Sequence, residues 1–130
     1  MKIPPLVKKM AEGNQVVQVA TSEAAGQPHI AAARGLRVVN DERVAFEDWF
    51  CYQTLRNISE NPRVSLSILE PGDDHGYQLI GVVDRSVETE ALDGYAPGEE
   101  RLGALPQIKH RFEVRVERVL RLSTGPHADE

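Results

Sequence analysis

The sequence predicts an all-β fold with short flanking helices, its strands closed into a small barrel. Three observations carry that expectation. Aromatics are only 5% of a chain that is 41% hydrophobic, so the core rests on Val, Leu, Ile and Ala. Branched aliphatics of that kind pack well on pleated faces. Short alternating runs recur along the chain, separated by Gly, Pro, Asn and Asp. There is no βαβ rhythm and no Gly-rich nucleotide fingerprint. About six strands are counted, and closing them into a small barrel removes most exposed edges.

Residues 3–11 place Ile3, Leu6, Val7 and Met10 at helical spacing, with Pro4 and Pro5 in the first turn, where missing N–H groups cost little. Gly13 and Asn14 end that helix. VVQVAT, from Val16 to Thr21, reads as the first strand, and SEAAGQP as a turn. From His29 to Val39 the chain reads as extended, with Ile30, Ala32, Leu36 and Val38 on one face, Arg34 interrupting that face and Gly35 beside it. After the turn at NDE, Val44 and Phe46 alternate in a third strand.

The stretch TLRNISENPRVSLSIL, residues 54–69, reads as a helix, a proline stop and a strand. Thr54 is of the type that caps a helix, its hydroxyl accepting from a free N–H of the first turn. Leu55 and Ile58 share a buried face. Pro62 stops the helix. Val64, Leu66 and Ile68 alternate in the fourth strand. PGDDHG is a loop, and Tyr77–Val87 is extended, with Gly81 marking a bulge or a close backbone approach. Residues 88–111 mix acidic residues, Pro and Gly, with a short helix expected near Glu99–Leu105. Phe112, Val114, Val116, Leu120 and Leu122 alternate in the last strand, and Arg118 and Val119 break the rhythm. The chain is expected to form one domain over 1–130, with a helix over 1–12 and a loose tail over 124–130.

The formal net charge is −5 across 130 residues, whereas proteins that neutralise phosphate backbones are usually basic. Nucleic acid is therefore not the expected partner. The single cysteine, Cys51, cannot close an internal disulfide and reads as a small packing residue. No apolar run approaches the roughly 20 residues of a membrane helix, and MKIPPLVKKM lacks a signal-peptide core. A cytoplasmic protein is expected.

Candidate chemistry gathers at two places. The start of the 54–61 helix presents free N–H groups and a positive dipole end, which attract anions. Gln53 and Thr54 can add hydrogen bonds there and Arg56 a charge. The plainer alternative is a capping threonine and a solvated arginine. Arg34 stands among Ala31, Ala32, Ala33 and Gly35, small neighbours that leave room for a ligand, and a guanidinium grips a phosphate bidentately. Its plainer alternative is a strand-end arginine reaching to water or to a carboxylate. His29, His75, His110 and His127 show no metal-ligand spacing, so no metal site is expected. Asp73, Asp74 and His75 read as turn residues. Trp49 and Phe50 are adjacent aromatics in an aromatic-poor chain. Trp49 suits the border of a flat ring system, a dimer contact or a core anchor.

The order of these pieces resembles the flavin-binding split-barrel family, which includes pyridoxamine 5′-phosphate oxidase and small bacterial FMN-binding proteins. The resemblance rests on VVQVATSEAAGQPHIAAA, which is similar to the family's opening "x-V-A-T-x-x-x-x-G-x-P-H" hairpin. It rests next on ERVAFEDWFCYQTLRNISENPRVSLSIL, with the "N-I/L-x-x-N-P-R-V" signature, and on GYQLIGVVDRSVE, which is similar to "I-x-G-x-A". Together these cover residues 16–88. The resemblance implies a six-stranded antiparallel split β-barrel and a homodimer with two FMN sites at its interface. It implies phosphate contacts from Arg34 or Arg37 and from Gln53, Thr54 and Asn57, with Glu47, Asp48 and Trp49 along the flavin ring. The substrate would be a small molecule or an electron-transfer partner. No residue stands out as a general acid or base, so electron or hydride transfer is the implied chemistry. Gln53 stands where relatives often carry a cation, and Glu47 and Asp48 add carboxylates near a phosphate dianion, which repel it. Those departures keep a second reading open, a non-catalytic barrel that has lost FMN or holds a different flavin-like cofactor such as deazaflavin. Haem is a further alternative, with His29 and His110 as its axial candidates.

Overall fold

The computed structural model describes residues 2–13, 16–50, 52–70, 72, 74–92 and 107–128. Cys51, Asp73, the helix expected near Glu99–Leu105 and the last two residues lie outside them. The element order is α1 (Pro5–Gly13), β1 (Val16–Ser22), β2 (Pro28–Val38), β3 (Arg43–Phe50), α2 (Tyr52–Glu60), β4 (Arg63–Leu69), β5 (Gly76–Leu92) and β6 (Gln107–Leu122). The six strands close into an antiparallel barrel in the order β1-β2-β3-β6-β5-β4, with β4 returning to pair with β1. The expected fold is the observed one.

Alternation explains the core. Val17 and Val19, Val44 and Phe46, Val64, Leu66 and Ile68, and Phe112, Val114 and Val116 all point inward and are buried. Phe46, Phe50 and Phe112 meet in one aromatic cluster with ring centroids 5.4–5.9 Å apart. Helix α1 covers one end of the barrel with Val7 and Ala11 buried, tied down by the Ile3 amide donating to the Asp41 carbonyl and by Glu12 accepting from the Val38 amide. A Lys8–Asp41 ion pair adds to it. Helix α2 covers the other end, where Asn57 donates to the Thr21 hydroxyl and Asn61 to the Ser22 hydroxyl.

Two sequence expectations are corrected. Ile30 and Ala32 do not share a face with Leu36 and Val38. Ile30 is 66% exposed, while Ala33 and Leu36 are buried. The strand changes phase at a bulge. Arg34 pairs with Glu47 and Arg37 with Ala45, so Gly35 and Leu36 stand opposite the single residue Phe46. Gly35 has φ +72°, a left-handed conformation that only glycine adopts at little cost. Arg34 therefore lies outside the barrel and does not interrupt its apolar face. The second correction concerns Thr54. The helix begins at Tyr52, so Thr54 sits inside the first turn and is fully buried. Gly81 combines both properties expected of it. The register shifts between Ile80 and Gly81, with Glu117 as the extra residue of β6, and a Cβ on Gly81 would stand 2.3 Å from the Arg115 carbonyl.

Candidate functional site

The β2 bulge makes the site. It turns both Arg34 and Arg37 to the outer surface, beside the outward residues of β3 and β6. The resulting groove holds about 400 Å³ and is lined by Arg34, Gly35, Arg37, Glu47, Asp48 and Trp49, with Lys109 and Arg111 on β6. Glu47 faces Arg111 and Trp49 faces Lys109 across the β3–β6 ladder.

The charges in this groove are unequally committed. Asp48 accepts hydrogen bonds from the Arg34 amide at 2.9 Å and the Trp49 amide at 2.7 Å. Its carboxylate thereby fastens the start of the bulge to β3. Glu47 pairs with Lys109 at 3.4 Å, and Lys109 also approaches Glu90 at 3.9 Å. Arg34, Arg37 and Arg111 form no ion pair among the described residues. Three guanidinium groups are thus left to an anion, while both carboxylates already have partners. Trp49 is half-buried at this outer surface and is not a core anchor.

The α2 residues are placed differently. Gln53 donates to Asn57 at 2.7 Å, and Asn57 donates on to Thr21 at 3.0 Å. This chain of side chains links the first turn of α2 to the end of β1. Gln53, Thr54 and Asn57 do not line the groove that collects Arg34, Arg37, Glu47, Asp48 and Trp49. The Thr54 hydroxyl is buried without a hydrogen-bond partner among the described residues. Arg56 is held by Glu60 at 3.1 Å, which lowers the Glu60 pKa below the ordinary carboxylate value. His29 and His110 each have a buried Nδ1 without a partner among the described residues, and neither lines the groove.

Lys109 and Arg111 were missed in the sequence. The signal was available: Ile108, His110 and Phe112 extend backwards the alternation of the last strand, which leaves Lys109 and Arg111 on the opposite face.

The pyridoxamine 5′-phosphate oxidase family model matches residues 3–123. An uncharacterized protein of Methanocaldococcus jannaschii is 31% identical over 117 residues, which span 88% of this chain and 78% of that protein. Among solved structures, HupZ of Group A Streptococcus superposes with a TM-score of 0.64 at 24% identity, covering 97% of this chain and 98% of HupZ. An FMN-binding protein of Syntrophomonas wolfei superposes with a TM-score of 0.59 at 12% identity, covering 93% and 89%. Those two likenesses establish the fold. With nearly its whole length matched by the family model, the chain belongs to the pyridoxamine 5′-phosphate oxidase family.

Proposed function

We propose that this chain is an FMN-binding flavoprotein of oxidoreductase or electron-transfer type that works as a homodimer. The observation that carries the reading is the groove over β2, β3 and β6, where Arg34, Arg37 and Arg111 converge without carboxylate partners among the described residues. FMN offers a phosphate dianion and a flat ring system. Unpaired guanidinium groups match the phosphate, since charge-assisted bidentate bonds are the strong ones. Trp49 supplies an aromatic surface along the same groove for the ring system. Pairing of Glu47 with Lys109 and of Asp48 with two amides removes much of the repulsion those carboxylates would exert.

Bound flavin supplies hydride or electron transfer. The protein's own residues bind and orient. The arginines fix the anionic end, Asp48 fixes the bulge that aims Arg34, and Trp49 limits water at the ring. The FMN-binding neighbour from Syntrophomonas wolfei and the family membership support this reading.

An apolar stripe on the outer faces of β1 and β2 supports the dimer. Val16 is 51% and Ile30 66% exposed, and Ala32 lies between them. In the β1–β2 register the stripe ends at the Val16–Arg34 pair, at the edge of the groove. A symmetric partner on that stripe covers apolar surface and brings the groove to the interface. Light scattering reads a dimer on this view, and a monomer at working concentration removes the interface from it.

The deciding experiment is the visible spectrum of the purified protein followed by titration with FMN and with riboflavin. Saturable FMN binding is expected, with riboflavin about tenfold weaker or more because it lacks the phosphate. Arg34→Ala or Arg111→Ala should weaken FMN by a similar factor and leave riboflavin nearly unchanged. Colourless protein that ignores FMN, or equal affinity for both flavins, would assign the groove to another ligand.

A further inference from the structure

Strand β5 has two partners for only part of its length. It pairs with β6 from Gly76 to Leu92, but with β4 only as far as the Val82–Arg63 pair. The Val83 amide then donates to the Pro62 carbonyl at 2.8 Å. Beyond that bond no strand pairs with this edge among the described residues. Residues on one face of a strand send their backbone groups to one edge. Val83, Ser86 and Glu88 share the inward face, opposite Val114, Phe112 and His110. The open edge is therefore carried by the amides and carbonyls of Ser86 and Glu88. Arg85 and Val87 face outward, opposite Glu113 and Arg111, and direct their backbone groups to β6.

A cleft of about 390 Å³ separates this edge from α2, and it shares no lining residue with the flavin groove. Leu55 and Ile58 of α2 form one wall, and the four consecutive residues 83–86 form the other. A wall made by one face of a strand would take alternate residues, so this wall is the edge of β5 itself. The floor is aromatic. Phe112 is buried, and the His110 ring lies nearly parallel to it, with centroids 5.3 Å apart and 11° between planes. Open strand backbone beside an apolar slot is the geometry that takes up an extended peptide as an added strand.

Charge selects the occupant. Asp84 is held by Arg43 at 2.7 and 3.1 Å, and Glu90 lies 3.9 Å from Lys109. Glu88 is exposed, on the cleft side of the strand, and forms no ion pair among the described residues. A second copy added edge to edge is disfavoured. Centred on Ser86, Val87 or Glu88, it sets Asp84 against Glu88, Asp84 against Glu90, or Glu88 against itself. Like charges directly opposite destabilise a strand pair.

We propose that this edge binds an extended basic peptide, antiparallel to β5, with an aromatic residue opposite Ser86 and a lysine or arginine opposite Glu88. The antiparallel direction places the cation two positions before the aromatic. The ring enters the slot over the His110–Phe112 pair, and backbone bonds to Ser86 and Glu88 supply the rest. Flavin binding in the groove is not required.

The test is NMR titration of the isotope-labelled full chain with the acetylated, amidated peptide Thr-Lys-Val-Trp-Val-Thr. Saturable shifts are expected along 84–90 and on α2, with the Ser86 and Glu88 amides protected from hydrogen exchange. N-methylation of the tryptophan amide, which faces β5, should weaken binding about tenfold. N-methylation of the valine before it, whose amide faces away, should leave binding nearly unchanged. A glutamate in place of the peptide lysine should weaken binding about tenfold, and Glu88→Lys should restore that peptide. The decisive changes lie in the peptide, so they put no strain on the fold. No saturable shift at millimolar peptide, equal effects of the two N-methylations, or equal affinity of the lysine and glutamate peptides would overturn the proposal. So would protection of the same amides that grows with protein concentration alone, which would assign the edge to a second copy.

Discussion

Replacing Asp48 separates the part it plays in shaping the groove from its charge. Its carboxylate accepts from the Arg34 amide at 2.9 Å, a bond that joins the start of the bulge in β2 to β3, and from the Trp49 amide of its own strand at 2.7 Å. A hydrogen bond to a charged group contributes about 1.5–3 kcal/mol net. Asp48 is half-buried, so water can partly replace each bond, and the lower end applies. Asp48→Ala should therefore cost about 3 kcal/mol, and Asp48→Asn, which keeps one acceptor oxygen, about 1 kcal/mol. With a urea dependence of about 1–3 kcal/mol per molar, Asp48→Ala lowers the unfolding midpoint by roughly 1–3 M. Circular dichroism against urea gives that midpoint. Flavin affinity should separate the same two variants. Asp48→Asn removes a negative charge beside an anion site and should bind FMN at least as tightly as the parent. Asp48→Ala frees the bulge and should bind it more weakly. A midpoint unchanged in Asp48→Ala would show that the backbone ladder holds the bulge unaided. Equal loss of FMN affinity in both variants would show that the carboxylate itself, and not the bulge, matters to the ligand.

Two further predictions concern the barrel. A Cβ on Gly81 would meet the Arg115 carbonyl at 2.3 Å and Val114 Cγ1 at 2.8 Å, both on the paired strand. Gly81→Ala should cost about 3 kcal/mol in urea unfolding, and a loss under about 1 kcal/mol would mean that the β5–β6 ribbon yields at its bulge. Burial lowers the His110 pKa from its ordinary value of 6.5, with the Glu88 charge opposing. The fold therefore favours the neutral ring. That stability is complete above the unfolded pKa and is lost as pH falls through the lower folded one. The urea midpoint should drop between about pH 7.5 and pH 5.5, and His110→Phe should flatten the drop. An equally steep profile in His110→Phe would place the titrating group elsewhere.

The barrel was legible because most strands bury one face only. Val114 and Val116, set between Glu113, Arg115 and Glu117, allow one phase and no other. The Ala-rich part of β2 is different. Both Ile30–Ala32 and Ala31–Ala33 are apolar, so alternation cannot choose between them, and Gly35 was the only sign of the change of phase. The start of α2 misled for a related reason. Threonine suits a helix cap by composition, but the Gln53–Asn57 bond forms only if Gln53 already lies in the helix. Which side chains bond inward at a barrel end depends on neighbours brought from β1, and no local pattern encodes that. Arg34, Arg37, Glu47, Asp48 and Trp49, which the family resemblance singled out, line one groove because β2 and β3 are neighbours in the barrel. Lys109 and Arg111 escaped because β6 begins well before its obvious run, at Gln107.

The groove also explains how a chain of net charge −5 can present an anion site. Net charge acts at distances that salt screens, with a Debye length near 8 Å at physiological strength, while binding is decided inside that radius. Within the groove the count is four cations against two carboxylates, and the carboxylates are held by Lys109 and by backbone amides. Alternation along β6 sorts its side chains in the same way: Lys109 and Arg111 turn to the charged groove, and His110 and Phe112 turn to the opposite face of the strand.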